Sequence, residues 1–114
     1  MQKCDLADEK QIDKMFDNIN KKFGKLDGLV NCAAYNKVIS IENLSVKEYK
    51  HELDVNVIAR FKCIQNAIPL MKKSQMPRVV NIASRLGTRP MDSSLAYCTS
   101  EAATIMLTKC CALE

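Results

Sequence analysis

The chain has 114 residues, 47% of them hydrophobic, which is enough for one small globular domain and too few for two. Its net charge of +4 arises from basic residues interleaved with acids, and only 5% of the residues are aromatic, so the pattern argues against a nucleic-acid-binding protein. The sequence contains no run of about 18 apolar residues and no signal-peptide pattern. These features predict a cytoplasmic protein that does not act in a membrane.

The six cysteines and the single histidine are the residues that a metal site or a disulfide framework would use. No two cysteines have Cys-x-x-Cys spacing, and His51 has no partner at ligand spacing. The sequence therefore predicts no metal site. It also predicts a reducing compartment, in which the cysteines act as small apolar residues.

The first predicted element is an amphipathic helix over residues 8–23, in which apolar residues recur at spacings of three and four. Asp8 is a suitable N-cap for this helix, and Gly24 follows it as a stop signal. A short apolar run then predicts a strand over 28–33. Because this run does not alternate with polar residues, the strand is expected to be buried on both faces, as in a parallel sheet.

The second half of the chain predicts a helix, a strand and a helix. Ser45 is a suitable cap for a long helix over 46–74, and Pro69 is expected to bend its last turns. A second buried strand is predicted over 79–83 and a final helix over 95–114. The apolar face of the long helix is predicted to consist of Tyr49, Leu53, Val57, Phe61, Ile64 and Ile68. Strands that alternate with helices of this length predict an α/β fold with a parallel sheet.

Four polar residues lie where such a fold collects ligands, at the carboxyl ends of strands and in the helices nearby. Asn31 and Ser84 end the two predicted strands, Asn56 lies inside the long helix, and Tyr97 opens the last one. Structural roles are alternatives for three of them. Ser84 would be a cap or turn residue, Asn56 a solvent-facing polar residue, and Tyr97 a core residue.

Five segments, in this order and spacing, resemble the short-chain dehydrogenase/reductase family over almost the whole chain. Tyr97 follows Ser84 by thirteen residues, as in the family. The tail of the last helix is weakly similar to the xylulose and carbonyl reductase branch. The five segments are Asp5-Leu6, Leu26-Asp27-Gly28-Leu29-Val30-Asn31-Cys32-Ala33-Ala34, Val55-Asn56-Val57, Val79-Val80-Asn81-Ile82-Ala83-Ser84 and Tyr97.

The resemblance implies hydride transfer between NAD or NADP and a small carbonyl or alcohol substrate. It also implies a partial Rossmann-like fold, a doubly wound parallel sheet in which residues 1–114 form a single incomplete dinucleotide-binding domain. By position, Tyr97 would be the general acid/base, and Ser84 would donate a hydrogen bond to the substrate oxygen. Asn56 would hold a water molecule in a proton relay.

The resemblance also implies three cofactor contacts. Asp5 would lie near the adenine, and Asn31 and Ala33 would border the cofactor at the end of the first strand. The glycine-rich turn that grips the pyrophosphate in the family has no counterpart, because the three glycines of this chain lie singly at 24, 28 and 87. The chain therefore resembles a piece of a reductase that lacks both ends, and its two strands are expected to be open sheet edges.

Glu101 is the main departure from the family, which has a lysine four residues after the tyrosine. Residues four apart share one face of a helix, so a carboxylate is expected beside Tyr97, where it disfavours the phenolate form. An ionised glutamate can accept a hydrogen bond from a ribose hydroxyl but cannot donate one. Impaired activity, and none for this chain alone, is therefore expected.

Two alternatives stay open besides a fragment of an oxidoreductase. The chain could be a non-catalytic relative that forms a homo-oligomer or pairs with a full-length homologue, because by resemblance residues 46–74 and 95–114 form a subunit interface. It could also be a degenerate product with no function.

Overall fold

A computed structural model describes residues 3–114, so the first two residues of the predicted 1–114 domain lie outside the described part. The α/β order of elements is confirmed. Two irregular turns accompany the regular elements, a π segment (Asp54–Ile58) and a 3₁₀ turn (Arg85–Gly87). The regular elements are helix α1 (Glu9–Phe23), strand β1 (Gly28–Asn31), helix α2 (Val46–Leu53), helix α3 (Ala59–Met71), strand β2 (Arg78–Asn81) and helix α4 (Leu95–Cys111).

The predicted signals at helix ends are confirmed. The Asp8 carboxylate accepts a hydrogen bond from the Lys10 N–H at 2.9 Å and caps α1. The helix ends at Gly24, whose φ of 70° is the left-handed conformation that glycine adopts without strain. The Ser45 hydroxyl likewise caps α2 by accepting from the Glu48 N–H at 3.1 Å.

The sheet is parallel, as predicted, and pairs β1 with β2 from Gly28 opposite Arg78 to Asn31 opposite Asn81. Within residues 3–114 it has only these two strands, so both are edges. The prediction that the strands are buried on both faces is wrong for this part of the chain. The apolar core packs against the sheet face that carries Leu29, and Val30 on the opposite face is exposed.

The predicted long helix consists of α2, the π segment and α3, and it ends at residue 71 rather than 74. In the π segment the Ala59 N–H donates to the carbonyl of Asp54, five residues earlier. The spacing of apolar residues did not predict this wide turn. Pro69 lies inside α3, where it supplies no backbone N–H.

The apolar core lies between α1 and α3. The apolar residues at helical spacing in the long helix do not all face the core, since Phe61 and Ile68 are each 45% exposed. The helix buries two other stripes instead, an apolar one against α1 and a polar one, with Asn56 and Arg60, against α4. The core cluster consists of Ile12, Phe16, Ala59, Cys63, Ala67, Leu70 and Met71.

Glu52 of α2 is fully buried, and neither of its carboxylate oxygens has a hydrogen bond. Burial raises the pKa of this carboxyl above its usual value, and the Glu48 carboxylate adds to the rise. The Lys37 backbone N–H faces Glu52 and opposes the shift, without reaching hydrogen-bond geometry. The folded protein therefore holds this proton more tightly than the unfolded chain does.

The raised pKa of Glu52 predicts how the free energy of unfolding depends on pH. Because the pKa is higher in the folded state, we expect the free energy of unfolding to fall as pH rises from 4.5, the usual value of a glutamate, through the raised pKa. Glu52→Gln removes the titrating group, so the variant should lack this decline and gain stability relative to the wild type towards neutral pH. Urea titrations between about pH 4.5 and 8 measure the difference. Equal pH slopes in the two proteins would contradict the prediction.

Candidate active site

Ser84 follows β2 and begins the 3₁₀ turn. Its hydroxyl oxygen accepts a hydrogen bond from the Leu86 N–H at 3.2 Å, which is the capping role considered as an alternative. Its own backbone N–H donates to the Oε2 atom of Glu101 at 2.8 Å. Because the hydroxyl oxygen only accepts in these contacts, its proton is left for a further acceptor.

Tyr97 lies in the first turn of α4 and is half-buried. It does not belong to the apolar core cluster, so the core alternative is not supported. Within residues 3–114 no hydrogen bond engages its hydroxyl, whereas its backbone carbonyl accepts from the Ser100 hydroxyl at 2.9 Å. The Tyr97 hydroxyl therefore keeps its hydrogen-bonding capacity within the described residues.

Asn56 is fully buried, so the alternative of a solvent-facing residue is wrong. Its Oδ1 atom accepts from the Tyr35 N–H at 2.7 Å, and its Nδ2 atom donates to the Tyr35 carbonyl at 2.8 Å and to the Ser100 hydroxyl at 2.9 Å. Its backbone carbonyl accepts from the Thr104 hydroxyl at 3.2 Å. Both amide protons are engaged, so the side chain fastens the loop after β1 to α4.

Glu101 is 1% exposed, and its carboxylate contacts two groups other than Tyr97. One oxygen, Oε1, lies 3.4 Å from the Nη1 atom of Arg60, and the other accepts from the Ser84 N–H. No side-chain hydrogen bond joins Glu101 to Tyr97 in the described part of the chain. The carboxylate is placed four residues after the tyrosine, as expected, but its contacts lead to α3 and to the end of β2.

Arg60 is a site residue that the sequence analysis missed. It is 3% exposed, and its guanidinium donates to the Thr104 hydroxyl at 2.8 Å and to the Ala33 carbonyl at 3.3 Å. Its position four residues after Asn56 could have indicated it, because residues four apart share one helix face. Tyr97 and Glu101 have the same spacing. The buried contact between the two helices is called the polar seam below, and it consists of Asn56, Arg60, Ser100, Glu101 and Thr104.

The three predicted cofactor residues lie near the carboxyl end of β1 or before α1. Asp5 is exposed, and its carboxylate accepts from the Ala7 N–H at 3.0 Å. Asn31 is buried and donates to the Oδ1 atom of Asn81 at 2.8 Å. Asn31 and Ala33 line a cleft of about 320 Å³ along β1, together with Arg60, whereas Asp5 does not line it.

The described residues fit a dinucleotide only in part. The exposed residues Cys32 and Ala33, which follow β1, line the cleft and offer it an accessible surface. The position of the family's lysine does not fit a ribose, because the Glu101 carboxylate is buried and turned towards Arg60. Residues 3–114 hold no group of three His, Cys, Asp or Glu side chains suited to a metal ion. No helix among them is long and apolar enough to cross a membrane.

Comparison with known proteins gives a consistent set of relatives. The sequence pattern described as short chain dehydrogenase matches residues 1–114. D-threitol dehydrogenase of Mycolicibacterium smegmatis is 30% identical over 97% of this chain and 43% of its own length. The ligand-free aldohexose dehydrogenase of Thermoplasma acidophilum superposes with a TM-score of 0.94 at 35% identity, over 98% of this chain and 44% of that one.

An NAD⁺-bound xylitol dehydrogenase superposes with a TM-score of 0.88 at 30% identity, over 96% of this chain and 43% of that one. Other similar structures hold NADP or NADH. This chain thus spans less than half the length of the relatives that it matches. The predicted Rossmann-like α/β class is confirmed by these superpositions.

Proposed function

Because this chain belongs to the short-chain dehydrogenase family, we propose that its residues form the substrate side of a nicotinamide-dependent oxidoreductase site. The reaction would interconvert a small carbonyl compound and its alcohol. We further propose that Glu101 impairs this activity, and that this chain alone has none. The cytoplasm is the proposed compartment, which the free thiols of all six cysteines support.

The observation that carries the proposal is the free donor capacity of two hydroxyl groups. The Ser84 hydroxyl accepts from the backbone and keeps its own proton, and the Tyr97 hydroxyl has no partner in residues 3–114. A carbonyl oxygen that gains negative charge during reduction needs such donors. Ser84 would donate a hydrogen bond to this oxygen and Tyr97 would transfer its proton to it.

NAD or NADP, when bound, would supply or accept the hydride. Asn31 and Ala33 would border it at the cleft, and Asp5 would reach it from the exposed turn before α1. Both amide protons of Asn56 are already engaged. Asn56 would therefore act in the proton relay through a water molecule that is held by neighbouring groups.

A turnover assay tests the proposed impairment. We expect no oxidation of NADH or NADPH by this chain with small aldehydes and ketones, and no reduction of NAD⁺ or NADP⁺ with the matching alcohols. Tyr97→Phe is the control, because the loss of a general acid/base lowers rates about 10²- to 10⁴-fold. A wild-type rate that Tyr97→Phe abolishes would refute the impairment and establish the role of Tyr97.

A non-catalytic subunit that pairs with a copy of itself or with a full-length homologue is the second candidate function. A row of exposed apolar residues supports it, Ile58 at the end of the π segment and Phe61 and Ile68 on α3, because these positions share one helix face. Residues 46–74 and 95–114 would form the interface. We expect light scattering to give the mass of a pair, and Phe61→Asp to give that of a single chain. A single-chain mass for the wild type, unchanged on mixing with a homologue, would exclude pairing.

A further inference from the structure

Arg60 and Glu101 place two formal charges inside the interface between α3 and α4. Their side chains are 3% and 1% exposed, and the atoms Nη1 and Oε1 lie 3.4 Å apart. A single buried charge is strongly unfavourable unless an opposite charge or several hydrogen bonds accompany it. Each of these two residues therefore needs the other.

The other contacts of Arg60 and Glu101 do not neutralise either charge. The Nε atom of Arg60 has no hydrogen-bond partner, and the Oε1 atom of Glu101 has none either. Thr104 and the Ala33 carbonyl accept from the guanidinium, but both acceptors are neutral. Among the described residues, Glu101 is thus the only anion in ion-pair contact with Arg60.

The second carboxylate oxygen of Glu101 reaches the backbone rather than a side chain. Its Oε2 atom accepts from the Ser84 N–H at 2.8 Å, at the point where the chain leaves β2 and enters the 3₁₀ turn. A hydrogen bond to an ionised acceptor is stronger than one between neutral groups. Glu101 therefore fixes the residue whose hydroxyl is aimed at a ligand in the proposed reaction.

We propose that Arg60 and Glu101 act as one unit, an ion pair between α3 and α4 that positions the backbone of Ser84. Glu101 is then a positioning residue for Ser84, and Arg60 is the counter-ion that permits a carboxylate at this buried place. The positioning role depends on the proposed function of Ser84, whereas the ion pair and its contact with the backbone do not. We expect lysine at position 101 to be unfavourable, because it would put a second cation beside Arg60.

A double-mutant cycle in the complete gene product tests the ion pair between Arg60 and Glu101. Arg60→Met and Glu101→Met each leave one buried charge without its partner, so we expect each to lower the melting temperature by about 10 °C or more. The double variant Arg60→Met/Glu101→Met removes both charges and should melt within a few degrees of the wild type. Glu101→Lys should melt no higher than Glu101→Met. Losses that simply add in the double variant would overturn the ion pair.

Amide hydrogen exchange on the same proteins tests the positioning of Ser84. In the double variant we expect the Ser84 amide to exchange at least about tenfold faster, because its acceptor is gone. The Ile82 amide, which donates to the Asn31 carbonyl at 2.9 Å, is the internal control and should not change. In Glu101→Gln the amide oxygen can still accept, so Ser84 should stay protected relative to Ile82.

Equal exchange at Ser84 in the wild type and the double variant would overturn the positioning role. If the double variant does not fold, Glu101→Met, which also removes the acceptor, takes its place, and Ser84 exchange relative to Ile82 equal to that of the wild type would overturn the role. Neither readout uses substrate or cofactor, so a failure of the proposed hydride transfer would leave these results unaffected.

Discussion

Asn56→Ala is expected to lower the melting temperature by about 10 °C, from a loss of about 3 kcal/mol in the free energy of unfolding. The amide of Asn56 is fully buried and makes three hydrogen bonds, two with the backbone of Tyr35 and one with the Ser100 hydroxyl. Alanine removes one partner of each bond and leaves a partly buried backbone donor and acceptor of Tyr35 unpaired. The cost of those unpaired groups is the main part of the expected loss.

Asn43→Ala is the matched control for this change. Asn43 is exposed, and its side chain donates a single hydrogen bond to the Ser40 hydroxyl at 2.9 Å. Its loss should change the melting temperature by no more than about 3 °C, because water replaces the partner. Circular dichroism during heating measures both variants. Equal melting temperatures for Asn56→Ala and Asn43→Ala would contradict the fastening role of Asn56.

Gly87→Ala is expected to destabilise the protein by about 2 to 3 kcal/mol. A Cβ atom at this position would lie 2.7 Å from the backbone carbon of Glu101, 2.9 Å from the backbone nitrogen of Ala102, and 2.8 Å from the Cδ1 atom of Ile105. Two of these atoms belong to the backbone of α4 and cannot move without the helix. The 3₁₀ turn must therefore separate from α4, which strains the hydrogen bond between the Ser84 N–H and Glu101.

Gly28→Ala is the control, because a Cβ atom at Gly28 meets nothing within 4 Å. Alanine at such an open position should be neutral or slightly stabilising, since it restricts the unfolded chain. Urea titrations compare the two variants through the midpoint concentration, at a similar slope. The close approach of the 3₁₀ turn to α4 would be disproved if Gly87→Ala were as stable as Gly28→Ala.

Features that depend on neighbours in sequence were predictable. Asp8 and Gly24 mark the ends of α1, and Ser45 marks the start of α2, because a capping side chain and a left-handed glycine act on adjacent backbone groups. The order of strands and helices follows from the same local patterns. The candidate residues Tyr97 and Ser84 were found from their places at a helix start and a strand end and from the family resemblance, and their catalytic roles stay predictions.

Features that depend on contact between distant segments were not predictable in the same way. The position of Glu101 one turn after Tyr97 follows from helix geometry, but the direction of its carboxylate is set by Arg60 on another helix. Local patterns do not indicate which face of the long helix meets α4. Arg60 was therefore not identified, and its contacts with Glu101 and Thr104 are seen only in the structure.

The polar seam also bears on the kinetics of folding. Its hydrogen bonds join residues 44 to 48 positions apart, whereas each helix forms from local contacts. Helices form within about a microsecond, but the seam must wait for closure of a long loop, and until then water satisfies its polar groups. We expect its contacts to form after the main barrier. The seam would then contribute little to the speed of folding and would mainly slow the separation of α3 and α4 during unfolding.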